Sequence, residues 1–277
     1  MGIDGHTTTG ERPTGEPGGS AEVNGELWGA RARDWGAHQE GHRRLDFEQC
    51  ICSTGIGRGT SVLDVGCGAG GFCRLAAGAG ARVTGIDAAL GMIEVARERV
   101  PDGRFDVGDI QFLPYHDASF DVISGFHSFP FAAAPLDALR EARRVARAGA
   151  PVFIVVFGPE EHNELAPVLH AIRSLLPATL PGGPGPLALS GPGVLDVLLD
   201  RAGLVVREDR FLETAYEYPN LDTALLAIRS AGMTVLAERT VGERLVTQTI
   251  TSALAPYGTE LGGYRLKAPS RCLTATA

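Results

Sequence analysis

Ser61-Val-Leu-Asp-Val-Gly-Cys-Gly-Ala-Gly-Gly71 is the stretch on which the fold turns. Val62, Leu63 and Val65 form the short apolar run expected of a strand covered on both faces. Gly66, Gly68 and Gly70 follow, and without Cβ atoms they let the backbone turn tightly and come close to a ligand. A helix is expected to open near Gly71, with its free N–H groups directed at whatever lies over the turn. Strand, turn and helix together predict a nucleotide-type cofactor site.

Strand and helix patterns alternate from there. Strands are expected near 62–65, 82–86, 103–107, 120–124 and 152–157, and helices near 71–78, 89–99 and 135–147. This alternation predicts an α/β fold, a parallel sheet with helices on both faces. Ligands of such sheets bind at the carboxyl ends of the strands, where the strand order reverses.

Three acids sit at such ends. Gly66, Gly68 and Gly71 also satisfy the dinucleotide pattern G-x-G-x-x-G, so the glycines alone leave the cofactor open. Asp64, just before the loop, would repel a pyrophosphate and attract an ammonium group. Asp87 ends Val83-Thr-Gly-Ile-Asp87, about twenty residues past the loop, where an acid accepts both hydroxyls of a ribose. Asp109, after the third strand, is placed to read the amine of adenine beside the Ile110 N–H. S-adenosylmethionine fits the description of a ligand with an amine, a diol and an adenine but no phosphate.

Several segments resemble the class I S-adenosylmethionine-dependent methyltransferases, in the small-molecule branch similar to the ubiquinone and menaquinone enzymes. They are Leu63-Asp-Val-Gly-Cys-Gly-Ala-Gly70, Gly85-Ile-Asp87 with Gly91-Met-Ile-Glu-Val-Ala-Arg97, Gly108-Asp-Ile-Gln-Phe-Leu-Pro114, and Ser119-Phe-Asp-Val-Ile-Ser-Gly125. Ala138-Leu-Arg-Glu-Ala-Arg-Arg-Val-Ala-Arg-Ala-Gly-Ala150, running into Pro151-Val-Phe-Ile-Val-Val156, is similar as well. The resemblance is close over residues 60 to 158 and holds only in outline beyond. It implies a Rossmann-like, seven-stranded, mostly parallel sheet with an added helical cap, and S-adenosyl-L-methionine as cofactor. The cofactor set it implies is Asp64, Gly66, Cys67, Gly68, Gly70, Asp87, Ala88, Met92, Asp109, Ile110, Gly125 and Phe126. Ala88 stands where the family often has serine.

The rest of the chain is read in five parts: a disordered tail over 1–23, cap helices over 24–57, the cofactor-binding core over 58–158, a cap insertion over 159–190, and a C-terminal part of the core over 191–277 with cap helices at about 219–256. In the insertion, 160–176 reads as a helix interrupted near Pro167. Cap helices are expected at Leu221–Arg229 and Thr240–Leu254, and one final strand over 263–274, with Pro269 on its unpaired side.

Composition narrows the function. An apolar fraction of 44% over 277 residues supports a sizeable core. A net charge of −8 argues against a nucleic-acid partner, no segment is apolar enough to predict a membrane association, and no secretory leader is expected. A cytoplasmic monomer or homodimer is the expectation. The five cysteines form neither a disulfide set nor a zinc pattern, so no metal is expected.

The expected reaction is methyl transfer to a small, apolar or aromatic metabolite, in biosynthesis of the secondary-metabolism kind. The alternative is a cofactor-binding protein of the same fold that does not transfer methyl, a cyclase or a binding module. His127 is the candidate general base, or else only bonds cofactor or loop backbone. Trp35, His127 and His170 are the candidate substrate residues. Trp35 shares a helical face with Trp28, as a core anchor or as an aromatic wall over a sulfonium. Tyr216 and Tyr218 share a strand face and are assigned no role.

Overall fold

The computed structural model describes residues 20–180 and 182–277. The expected disordered tail lies outside them up to residue 19; its last four residues, 20–23, instead begin a helix. The chain opens with α1 (Ser20–Gly29) and α2 (Ala32–Asp34). A π-helical stretch (Trp35–Gln39) and a 3-10 turn (Glu40–Arg43) then lead into α3 (Arg44–Thr54). The core follows as β1 (Ser61–Val65), α4 (Gly71–Gly78), β2 (Arg82–Asp87), α5 (Leu90–Arg99), β3 (Arg104–Val107), β4 (Val122–Phe126), α6 (Pro135–Val145) and β5 (Pro151–Phe157). Next come α7 (Ala166–Arg173), α8 (Val194–Ala202), β6 (Val205–Leu212), β7 (Ala215–Tyr218), α9 (Leu221–Arg229), α10 (Gly232–Val241), α11 (Glu243–Leu254), β8 (Tyr264–Lys267) and β9 (Ser270–Thr276).

Seven strands form one sheet in the order β3-β2-β1-β4-β5-β9-β6. Of these only β9 runs antiparallel to its neighbours, β5 and β6. β1 and β5 lie in the interior, and their apolar runs are buried almost throughout, as strands covered on both faces require. Strand order reverses between β1 and β4, which opens a crevice at their carboxyl ends.

One sheet face is covered by α6 and α8, whose Leu139, Val145, Leu195 and Leu199 pack on Leu63, Ile123 and Ile154. The other is covered by α3, α4 and α5, through Phe47, Cys50, Phe72, Cys73 and Ile93. The 24–57 segment is therefore not all cap: Phe47 and Cys50 give α3 an apolar stripe that belongs to the sheet layer. A separate cluster joins α7, α9, α10 and α11 to β7 and β8 and makes the cap over the crevice.

The single terminal strand expected over 263–274 is two. Pro269 has no N–H to give a ladder, and the chain changes sheets there. β8 pairs with β7 in a two-stranded sheet, while β9 enters the main one. The helix expected over 240–254 likewise breaks at Gly242, which has φ 88°.

Candidate functional site

Two adjoining cavities lie at the carboxyl ends of β1, β2 and β4. The smaller, about 680 Å³, has Asp87, Ala88 and Met92 on one side, Asp109 and Ile110 on another, and Gly66 and Gly68 at one end. Asp87 is held from below by its own neighbourhood: Oδ2 accepts the Gly68 N–H and Oδ1 the Ala89 N–H, both at 2.9 Å. Burial pushes its carboxyl up from the usual range, and those backbone donors oppose the shift. Asp109 Oδ1 accepts the Gln111 N–H at 2.9 Å and the Gln111 side-chain amide at 3.1 Å. Among the described residues, no Arg, Lys or His side chain lines this cavity.

Helix α1 roofs it. A Cβ on Gly25 would lie 2.5 Å from the Ala88 carbonyl oxygen, so only glycine permits this approach of helix to turn. Asn24 donates to the carbonyls of Phe131 (2.9 Å) and Gly182 (2.8 Å), and Ser20 Oγ accepts the Ala133 N–H at 3.0 Å. Arg31, just beyond α1, pairs with Glu238 of α10 at 2.7 Å, which ties the roof to the cap.

The larger cavity, about 1040 Å³, continues from the first. The two share Trp28, Trp35, Gly66, Gly68, Phe126 and Phe131. Trp28 and Trp35 meet edge to face at 4.8 Å. The cap contributes an aliphatic wall, Leu165, Val168, Ile172, Ile228 and Met233. The rest of its lining includes Glu40, Arg43, Asp64, His127 and Tyr216.

Asp64 is buried, accepting from Ser124 Oγ at 2.8 Å, and burial raises its pKa to about 7. Glu40 pairs with Arg99 at 2.7 Å, and Arg99 with the backbone near Ala69 and Gly71 favours its charged form. Burial nevertheless pushes its carboxyl up. His127 has a left-handed backbone (φ 56°) and lies in the cavity wall, with its ring 4.5 Å from that of Phe157. Burial and the nearby Arg43 charge lower its pKa to about 4, against the pull of Asp46. It is a neutral imidazole at physiological pH, and a weaker base than its residue type suggests.

Of the residues expected to hold cofactor, Asp87, Ala88, Met92, Asp109 and Ile110 line the smaller cavity, while Gly66, Gly68 and Phe126 line both. Asp64 and Cys67 line the larger one. Gly70 and Gly125 line neither. A Cβ on Gly70 would meet Ala96 of α5 at 3.0 Å, so this glycine serves helix packing. Gly125 is closed off by the Phe129 ring, which would lie 2.5 Å from an added Cβ. Trp35 and His127 reach the larger cavity. His170 does not: it is exposed and paired with Glu160 on the outer surface, because its helix turns Val168 and Ile172 inward.

Glu40, Arg43 and Tyr216 line the larger cavity, with Asp46 buried beside Arg43, without having been expected there. Arg43 and Asp46 stand three apart beside Leu45 and Phe47, and a charged pair in an apolar setting is the one sequence signal they offered. Tyr216 was legible only as sharing a face with Tyr218.

A mostly parallel seven-stranded sheet, with a cavity at its switch point that holds two carboxylates and, among the described residues, no basic side chain, suits an adenosine-type cofactor lacking phosphate. Residues 63–154 match the methyltransferase domain family, and over this core the chain is similar to the class I S-adenosylmethionine-dependent methyltransferases, the quinone enzymes among them. The chain is 31% identical over 160 residues to the malonyl-[acyl-carrier protein] O-methyltransferase of Pseudescherichia vulneris, covering 55% of this chain and 63% of that one. It is 33% identical over 131 residues to the demethylmenaquinone methyltransferase of Renibacterium salmoninarum, covering 47% and 54%. The matches thus span between about half and just under two thirds of these relatives' length. In fold, it is similar to the crystal structure of the YcgJ protein of Bacillus subtilis, with a TM-score of 0.59, 19% identity, and coverage of 84% of this chain and 97% of that one. The family's cofactor is S-adenosylmethionine, and the smaller cavity, with carboxylates and without basic side chains, fits it.

Proposed function

We propose that the protein transfers a methyl group from S-adenosylmethionine to a small, largely apolar acceptor enclosed between core and cap. The observation that carries this reading is the continuity of the two cavities. One that holds Asp87 and Asp109, suited to an adenosine, and one walled by the cap's aliphatic side chains, suited to an acceptor, meet at Gly66, Gly68 and Phe126. In this reading Asp87 accepts from the ribose, Asp109 and the Ile110 N–H hold the adenine, and Met92 packs on the adenine face. Gly66, Cys67 and Gly68 border the methionine portion, with Asp64 nearest its ammonium group.

When bound, the cofactor supplies a methyl group on a sulfonium, which an acceptor lone pair displaces. The chain's own contribution is alignment and exclusion of water. Trp28, Trp35 and Phe131 close the junction, the cap supplies an apolar enclosure, and neutral His127 positions the acceptor.

Incubation with S-adenosylmethionine and a panel of apolar acids, phenols and quinols tests this. The relatives named for malonyl-acyl-carrier-protein and demethylmenaquinone suggest the first acceptors to try. Acceptor-dependent release of S-adenosylhomocysteine is expected. Cofactor binding without that product, across the panel, would favour a protein of the same fold that does not transfer methyl.

A further inference from the structure

Carboxylates outnumber basic groups around the two cavities. Asp87 and Asp109 line the smaller one, Glu40 and Asp64 the larger. Among the described residues, Arg43 is the only Arg or Lys side chain on either lining. Its charge is already balanced by buried Asp46, 3.4 Å away. A charge taken out of water is costly without a partner, so this excess of carboxylate calls for a positive one.

Glu40 stands out among the four because it comes from outside the core. The π-helical stretch Trp35–Gln39 and the 3-10 turn that Glu40 opens bring it to the glycine loop. A Cβ on Gly71 would lie 2.6 Å from Glu40 Oε2, and one on Gly68 would lie 3.2 Å from Oε1. Arg99 Nη1 donates to Oε2 at 2.7 Å and to the Ala69 carbonyl at 3.1 Å, which fixes the carboxylate against the loop. Glu40 lines the larger cavity, with 9% of its side chain exposed. Arg99 lines neither cavity; it opens on an outer groove beside Arg44 and Arg74, with 28% of its side chain exposed. The pair therefore turns its negative end to the cavity and its positive end toward solvent, which screens it. Asp64 registers the same field: burial is the main cause that lifts its carboxyl to about 7, and the Glu40 and Asp87 charges add to it.

A cleft lined by one sign of charge favours ligands of the other. We propose that Glu40 is a specificity-determining residue, whose carboxylate at the glycine loop makes the junction prefer the positively charged sulfonium cofactor to neutral and anionic adenosine ligands. Methyl transfer then cancels part of that attraction. The acceptor's lone pair forms the new bond to carbon, the electron pair of the broken S–C bond returns to sulfur, and the acceptor's proton goes to solvent. S-adenosylhomocysteine is left without the sulfonium charge, so Glu40 favours release of the product as well as capture of the cofactor. This rests on the methyl-transfer reading and adds to it the residue that sets the charge preference.

Calorimetry on the full chain tests it with ligands that share an adenosine and differ in charge. They are S-adenosylmethionine, S-adenosylhomocysteine, uncharged 5′-methylthioadenosine and adenosine 5′-diphosphate. The wild type is expected to bind S-adenosylmethionine severalfold more tightly than S-adenosylhomocysteine. Glu40→Gln keeps the shape and an acceptor for Arg99 and removes only the charge. It should weaken S-adenosylmethionine about tenfold, leave methylthioadenosine within about twofold, and tighten the diphosphate. Glu40→Asp, which restores the charge, should keep the wild-type order. A merely structural role would change all four ligands alike, and that result overturns the proposal. So does an unchanged order in Glu40→Gln, or a wild type that binds S-adenosylhomocysteine more tightly, a result that needs no variant to fold. Failure of both sulfonium cofactor and product to bind the wild type counts against the methyl-transfer reading instead. The proposal is then decided by methylthioadenosine and the diphosphate, whose affinities Glu40→Gln should still bring together.

Discussion

The two cavities solve opposite problems. In the smaller one the carboxylates are already tethered by near neighbours: Asp87 by the Gly68 and Ala89 N–H groups, Asp109 by Gln111. Its polar groups are fixed before any ligand arrives. In the larger one, Arg43, His127 and Thr234 come from distant parts of the chain and keep unpaired polar atoms. In the proposed reading the first site is preorganised for its cofactor, whereas the second leaves polar atoms unpaired inside its wall.

The largest expected effect is on the preorganised side. Asp87→Ala removes both tethers of the loop and, in the proposed reading, the acceptor for two ribose hydroxyls. At about 1.5–3 kcal/mol per charged hydrogen bond, calorimetry should show S-adenosylhomocysteine affinity falling at least about 100-fold. A loss under tenfold would break the claim that this cavity holds the ribose.

On the other side the expected signature is pH-dependent stability. His127 titrates near 4 in the folded protein against 6.5 when unperturbed, because of burial and Arg43. The unfolded chain thus binds the proton more readily between these values. The stabilisation is present above pH 6.5 and lost as pH falls toward 4, by up to about 3 kcal/mol. Asp64, raised to about 7, acts oppositely between 3.8 and 7, so the comparison must be wild type against His127→Asn. Urea denaturation at pH 7 and pH 4.5 should show a smaller acid loss in the variant. An identical loss would place His127 in a less buried setting.

Much of the first cavity was legible because its parts are local. The run Val62 to Gly70, and the acids Asp87 and Asp109, each follow a strand whose apolar pattern announces it. Arg43 was not, because it ends an irregular π and 3-10 stretch that has no single helical period. Its partner Ser270 is 227 residues away. The division at Pro269 was half legible: the proline was visible, but the second sheet that takes β8 depends on β7, which no pattern separated from β6. Gly70 and Gly125 looked like cofactor glycines because spacing cannot tell a ligand from a neighbouring Ala96 or Phe129.

Smaller effects sharpen the contrast. Gly25→Val forces a Cβ against the Ala88 carbonyl and should lift α1 from the smaller cavity, at a cost of about 1–2 kcal/mol. Limited proteolysis near residue 25 should accelerate, and S-adenosylhomocysteine should bind roughly tenfold more weakly. Unchanged cleavage and affinity would remove α1 from the site. Smallest of all is a proton. Asp64 is partly protonated at pH 7, and an ammonium group nearby should drive its ionisation, releasing up to about half a proton on cofactor binding. Calorimetry in phosphate and in Tris would reveal it, and Asp64→Asn should abolish it.

The most direct test of the central claim is titration of the wild-type protein with S-adenosylmethionine, S-adenosylhomocysteine and NAD. Micromolar binding of both sulfur ligands with no binding of NAD is the predicted result. Binding of NAD in preference, or no binding of either sulfur ligand, would contradict it and return the glycine loop to a dinucleotide or vestigial site.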